Sequence, residues 1–146
     1  MRRPVIDASV LFSASCSHPD SRPTKLLGAV RAGEFEMLIC KRLLGEVERA
    51  LNGRYFTKRV TAEERIAYLA LIHTLGVNQP DPKDPPPVLR DAADDYLVAL
   101  AASSDADAIV TGDRDLLDHE GLRPPAITVR EACRRLGIDG TPPASS

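Results

Sequence analysis

Residues 94–117 read DDYLVALAASSDADAIVTGDRDLL, and this stretch decides the fold. From Tyr96 to Ala102 no side chain is charged. A helix over residues 92–103 therefore has almost no polar stripe and must lie against other structure on nearly all sides. Ala108-Ile109-Val110 is short, apolar and β-branched, the pattern of a buried strand. Thr111-Gly112-Asp113 is turn chemistry, and residues 114–118 predict a short helix. A covered helix feeding a wholly apolar strand is the repeating unit of a parallel sheet with helices on its faces.

The same alternation extends in both directions. Strands are expected at residues 5–6, 37–40, 108–110 and 127–129, with another beginning at Val77. Helices are expected at 9–15, 24–32, 41–51, 61–75, 92–103, 114–118 and 130–136. Thr24 is placed to cap the second helix, and Gly33 ends it. Leu43, Leu44, Val47, Ala50 and Leu51 share one face of the third, which Asn52-Gly53 stops. Thr61 with Glu64 is a capping box, and Gly76 closes the helix it opens. Residues 17–23 (SHPDSRP) and the proline-rich 80–87 (PDPKDPPP) read as loops. The expected fold is a three-layer α/β/α sandwich with a central, mostly parallel sheet. One domain spans residues 1–139, and 140–146 (GTPPASS) form a disordered tail.

Composition narrows the function. A chain of 146 residues with 43% hydrophobic content supports one packed core. Aromatics are 4% with no Trp, which argues against a base-stacking platform. The net charge is -2, yet the charge is uneven. Residues 41–65 hold seven basic side chains (Lys41, Arg42, Arg49, Arg54, Lys58, Arg59, Arg65) against four Glu. Residues 81–120 hold three basic against eleven acidic. The first region suits phosphate and the second suits cations. Cys16, Cys40 and Cys133 form no CxxC pair and read as reduced thiols of a cytoplasmic protein. Asp7 interrupts the apolar start too early for a signal peptide, and no run reaches the roughly 20 apolar residues of a membrane helix.

Asp7 and Asp113 each close an apolar strand, where sites form in open α/β sheets. Each also has an ordinary alternative as the cap of the helix that follows. Glu46 and Glu48 flank the apolar stripe of their helix about equally, so periodicity does not choose between them. Asp94 and Asp95 are adjacent, and one can serve the helix dipole while the other serves a site. Acids gathered at one sheet edge repel each other, and a divalent cation is the usual relief.

In order, VIDASVLFSA, LLGEVERAL and DDYLVALAASSDADAIVTGDRDLL resemble the PIN-domain family of metal-dependent ribonucleases, and especially its bacterial toxin branch. The likeness runs from about Val5 to Leu136 and is most specific from Asp95 to Leu117. It implies that Asp7, Glu46, Asp95 and Asp113 are the catalytic, metal-binding acids, selecting Glu46 over Glu48 and Asp95 over Asp94. Asp115 is implied as a further ligand, with Ser9, Asp94 and Thr111 in support. Two departures stand out. Ser9 occupies a position that is commonly Asn, and residues 91–95 (DAADD) lack an outer acid, which bears on metal affinity.

The implied activity is endonucleolytic hydrolysis of RNA with Mg²⁺ or Mn²⁺, ions whose hard character suits an all-oxygen ligand set. Arg42, Arg49, Arg54, Lys58 and Arg59 are the candidates for RNA-backbone contacts, which position a strand without reading its sequence. His18, His73 and His119 are not needed as ligands. The family branch further implies a type II toxin–antitoxin role, a cognate antitoxin protein, a homodimer and no membrane partner. Two alternatives have a different character. One is a catalytically impaired module of the same fold that binds RNA or protein. The other is a haloacid-dehalogenase-like phosphatase, whose D-x-D pattern fails here at Ser9.

Overall fold

The computed structural model describes residues 1–16, 18–83 and 95–138. Among them, five strands form one parallel sheet: β1 (Val5–Ile6), β2 (Leu38–Ile39), β3 (Val77–Asn78), β4 (Ile109–Val110) and β5 (Ala126–Ile127). Their order is β3-β2-β1-β4-β5. Val5 pairs with both Leu38 and Ile109, which places β1 at the centre. The helices are α1 (Ala8–Cys16), α2 (Arg22–Arg31), α3 (Lys41–Leu51), α4 (Arg54–Thr57), α5 (Ala62–Leu75), α6 (Asp95–Ser103), α7 (Arg114–Leu117) and α8 (Val129–Leu136). The expected α/β/α sandwich is what forms, and every strand pair in it is parallel.

Strands this short hold because the parallel ladder continues past their ends. The Val5 N–H donates to the Ala108 carbonyl at 2.9 Å, and the Asp7 N–H to that of Val110 at 2.9 Å. Val5, Ile6, Leu38, Ile39, Ile109 and Val110 are buried, as strands covered on both faces must be. The α6 helix packs on β1 and β4. Tyr96, Leu97, Leu100 and Ala101 are fully buried there, as its missing polar stripe requires.

Several boundaries differ from the sequence expectation, each for a local reason. α2 starts at Arg22 because Ser21, not Thr24, is the cap; its side chain accepts from the Thr24 N–H. Pro23 then sits in the first turn, where its missing N–H costs nothing. β5 is Ala126–Ile127, and Val129 belongs to α8, because Thr128 caps that helix and accepts from the Glu131 N–H at 3.0 Å. α4 is a short turn of helix between the expected helices at 41–51 and 61–75; its Phe56 is buried against Phe12, with ring centroids 4.3 Å apart. Gly76 does end α5, but its φ of -80° is open to any residue. It is glycine because a Cβ would collide with the Ile39 side chain of β2.

No disulfide joins the three cysteines. Among the described residues, no helix is long and apolar enough to cross a membrane. The expected tail at 140–146 and residues 84–87 of the proline-rich stretch lie outside the described residues, as do residues 92–94 of the expected helix.

Candidate active site

The chain runs outward from β1 to β2 and β3, then returns to place β4 on the other side of β1. Connections therefore leave the carboxyl ends of β1 and β4 in opposite directions, and a crevice opens between them. Asp7 directly follows β1, and Asp113 follows β4 by three residues. Both line a cleft of about 1240 Å³, together with Glu46 from α3. Ser9, Thr111, Gly112 and Arg114 also line it.

Thr111 ties the two aspartates together. Its hydroxyl donates to Asp7 Oδ2 at 2.7 Å and accepts from the Asp113 N–H at 3.0 Å. Thr111 is fully buried and Asp7 is 8% exposed. Burial pushes the Asp7 carboxyl above the ordinary carboxylate range, and the nearby Asp113 charge adds to this. The Thr111 hydroxyl and the backbone N–H groups of Ser9 and Ala8 act in the opposite direction without cancelling it. Ser9 thus supports Asp7 through its backbone, while its side chain is exposed on the cleft. Asp113 also caps α7, its Oδ1 accepting from the Asp115 N–H at 2.9 Å. The capping and cleft-lining descriptions of Asp113 are both correct.

Glu46 is held by a residue that the sequence does not single out. The Tyr96 hydroxyl, on α6, donates to Glu46 Oε2 at 2.6 Å. The Tyr96 ring is fully buried, with the Arg42 guanidinium 4.3 Å from its centroid. Burial first, then the hydrogen bond and charge of Glu46, push the Tyr96 hydroxyl far above its usual range, so it remains a donor. Glu48 points elsewhere and lines a separate shallow pocket beside Leu51 and Ile66. The one available signal for Tyr96 was a polar tip on an otherwise apolar helix, since a buried Tyr hydroxyl normally finds a partner.

None of the other candidates among the described residues lines this cleft. Asp95 is 3% exposed in the first turn of α6 and is not part of the cleft wall. Asp115 is half-buried and also stands off the wall. Asp94 lies outside the described residues. Arg42, Arg49, Arg54, Lys58 and Arg59 are exposed, and none lines the cleft. Arg22, Arg114 and Arg130, which the sequence does not mark out, do line it. His18, His73 and His119 are exposed and away from it.

Among the described residues, no three His, Cys, Asp or Glu side chains gather closely enough to form a complete metal cage. The cleft nonetheless fits a hard divalent cation. Its three acids offer only oxygen, and Mg²⁺ characteristically takes one or two carboxylates and keeps several waters. Buried Asp7, whose charged form is disfavoured, is the group that a cation would relieve most.

The sequence profile of the PIN domain matches residues 3–115, well over half of the chain. No curated protein matches the sequence significantly. Among solved structures, the chain resembles the crystal structure of PAE2754 from Pyrobaculum aerophilum, with a TM-score of 0.63 and 23% sequence identity. That match covers 93% of this chain and 90% of the other. At that identity the likeness speaks to the fold.

Proposed function

The chain belongs to the PIN-domain family, whose members are generally nucleases that use divalent metals, and from this premise we propose that it is a metal-dependent endoribonuclease. One observation carries the proposal. Asp7 and Asp113 stand at the carboxyl ends of adjacent parallel strands, share one buried threonine, and open with Glu46 onto a cleft of about 1240 Å³.

Asp7 and Asp113 would hold the cation, with Glu46 facing them. A bound Mg²⁺ or Mn²⁺ supplies charge neutralisation at the phosphate and a more acidic water. The chain's own residues do the rest. Thr111 holds the Asp7 carboxylate beside the Asp113 backbone, and the Asp115 N–H holds the Asp113 carboxylate. Tyr96 holds one oxygen of Glu46, leaving the other to orient a water or accept its proton. The apolar residues beneath, Val10 and Phe12, limit water around the acids and strengthen their fields.

A role as the toxin of a toxin–antitoxin pair, with a cognate antitoxin and a homodimeric form, rests on the sequence resemblance. The exposed Ile66 on α5, 70% accessible, is compatible with a protein partner on that helix. A haloacid-dehalogenase-like phosphatase has no comparable support, because Ser9 stands where its second aspartate is required.

The test is cleavage of single-stranded RNA by the purified protein with Mn²⁺, beside Asp7→Asn and Asp113→Asn. Cleavage by the wild type that stops with EDTA and falls at least about a hundredfold in both variants is expected. Equal cleavage by all three removes the site assignment. RNA binding without any cleavage favours a catalytically impaired binding module.

A further inference from the structure

The cleft has a basic wall as well as an acidic one. Arg22, Arg114 and Arg130 line it with Glu46, Asp7 and Asp113, and all three are exposed. They reach it from one side of the sheet. Arg114 opens the helix after β4, Arg130 lies in the helix after β5, and α2, which carries Arg22, packs on α8. Arg42, Arg49, Arg54, Lys58 and Arg59 belong to α3, α4 and the residues just after them, which follow β2 on the other side of β1.

The Arg59 guanidinium lies 3.9 Å from the Tyr55 ring centroid and donates to the Tyr55 carbonyl at 2.9 Å. The Arg42 guanidinium lies 4.3 Å from the Tyr96 ring centroid. On the cleft side, Arg114 pairs with Asp118 at 2.9 Å, but both side chains are more than half exposed and such a pair exchanges readily with a phosphate. A polyanion approaching Asp7, Glu46 and Asp113 meets repulsion unless cations neutralise its neighbouring phosphates inside the same cleft. Among the described residues, the basic side chains that line the cleft are those of the β4–β5 side.

We propose that single-stranded RNA crosses the cleft along its β4–β5 side, with its phosphates held by Arg22 and Arg130 and with Arg114 between these and the acids, rather than along α3 and α4. This path rests on the nuclease reading of the same cleft. It extends that reading by saying where the substrate lies.

The experiment measures binding of a labelled single-stranded oligoribonucleotide to the full chain in EDTA, across a salt series, with Mn²⁺-dependent cleavage followed separately. Arg22→Ala/Arg130→Ala is expected to weaken binding roughly tenfold or more and to lower the log–log salt slope by about 1.4, at about 0.7 per lost phosphate contact on a single strand. The loss is the same for oligonucleotides of different sequence, because these contacts read no bases. Arg22→Lys/Arg130→Lys recovers most of the salt slope, which a purely structural role for the guanidinium groups would not give. A larger loss in Arg49→Ala/Arg54→Ala than in the cleft pair overturns the proposal, and so does a wild type that binds no RNA. Wild-type binding that follows the cleft pair while no RNA is cleaved with Mn²⁺ supports the path and removes only the nuclease reading.

Discussion

Tyr96 on α6 and Glu46 on α3 meet through a 2.6 Å hydrogen bond, although 50 residues separate them in sequence. The ring is fully buried and its hydroxyl stays protonated, so Glu46 has a fixed donor whatever its own state. Tyr96→Phe keeps the ring and removes only this anchor. The expected result is a fall of roughly tenfold in kcat with a modest stability loss of about 1–2 kcal/mol. In a Glu46→Gln background the same change costs much less in kcat, because the residue it positions is already altered. Equal losses in both backgrounds would show that Tyr96 does not act through Glu46. Steady-state kinetics and urea unfolding of the four proteins decide this.

Thr111 is the shared partner of both strand-end aspartates. Thr111→Val preserves the shape, leaves the buried Asp7 oxygen without its hydroxyl and the Asp113 N–H without its acceptor, and should destabilise by about 1–3 kcal/mol. Thr111→Ser retains the hydroxyl and recovers most of the loss. Denaturant midpoints at constant m-value measure both.

Asp7 makes stability depend on pH in a direction that can be worked out. Its folded-state pKa is raised, mainly by burial, so the folded protein binds this proton more tightly than the unfolded chain. The stability contributed by neutral Asp7 is complete below the ordinary aspartate range and is lost as pH rises through the raised value. Metal-free Asp7→Asn should therefore melt higher than wild type at neutral pH, with the gap closing as pH falls into the ordinary aspartate range. Adding Mn²⁺ should raise the melting temperature of wild type and not that of Asp7→Asn. Melting curves with and without metal across pH test this. A gap that widens on acidification contradicts the burial argument.

Gly76 tests the packing of the opposite edge. A Cβ there runs into Ile39, which is wholly buried in β2. Gly76→Ala should destabilise by about 1–3 kcal/mol through overpacking, even though its backbone angles admit alanine. In Gly76→Ala/Ile39→Val the shorter side chain should return part of that loss. Denaturant unfolding of the single and double variants reads the difference.

Much of the molecule is legible over short stretches of sequence. The bounds of α3 and the capping box of α5 follow from residues within one or two turns of each other. So does the place of Asp7 and Asp113 after apolar strands. Where local signals compete, the nearer cap wins: Ser21 starts α2 ahead of Thr24, and Thr128 takes Val129 into α8. These are interactions along the chain, and the residue types at fixed spacing largely determine them.

What only the tertiary structure decided is the order of the strands and everything that depends on it. The sequence shows acids after β1 and β4. The sheet makes those strands neighbours, brings Thr111 onto Asp7 across 104 positions, and opens the cleft at that junction. The same packing turns Glu46 toward Tyr96, sets Glu48 in a separate pocket, buries Asp95 in the first turn of α6, and brings Arg22, Arg114 and Arg130 to the cleft lining. The physical reason is range. A cap or an apolar stripe is settled within about a turn of helix, whereas a cleft is settled by which distant apolar strands find each other when the core is buried.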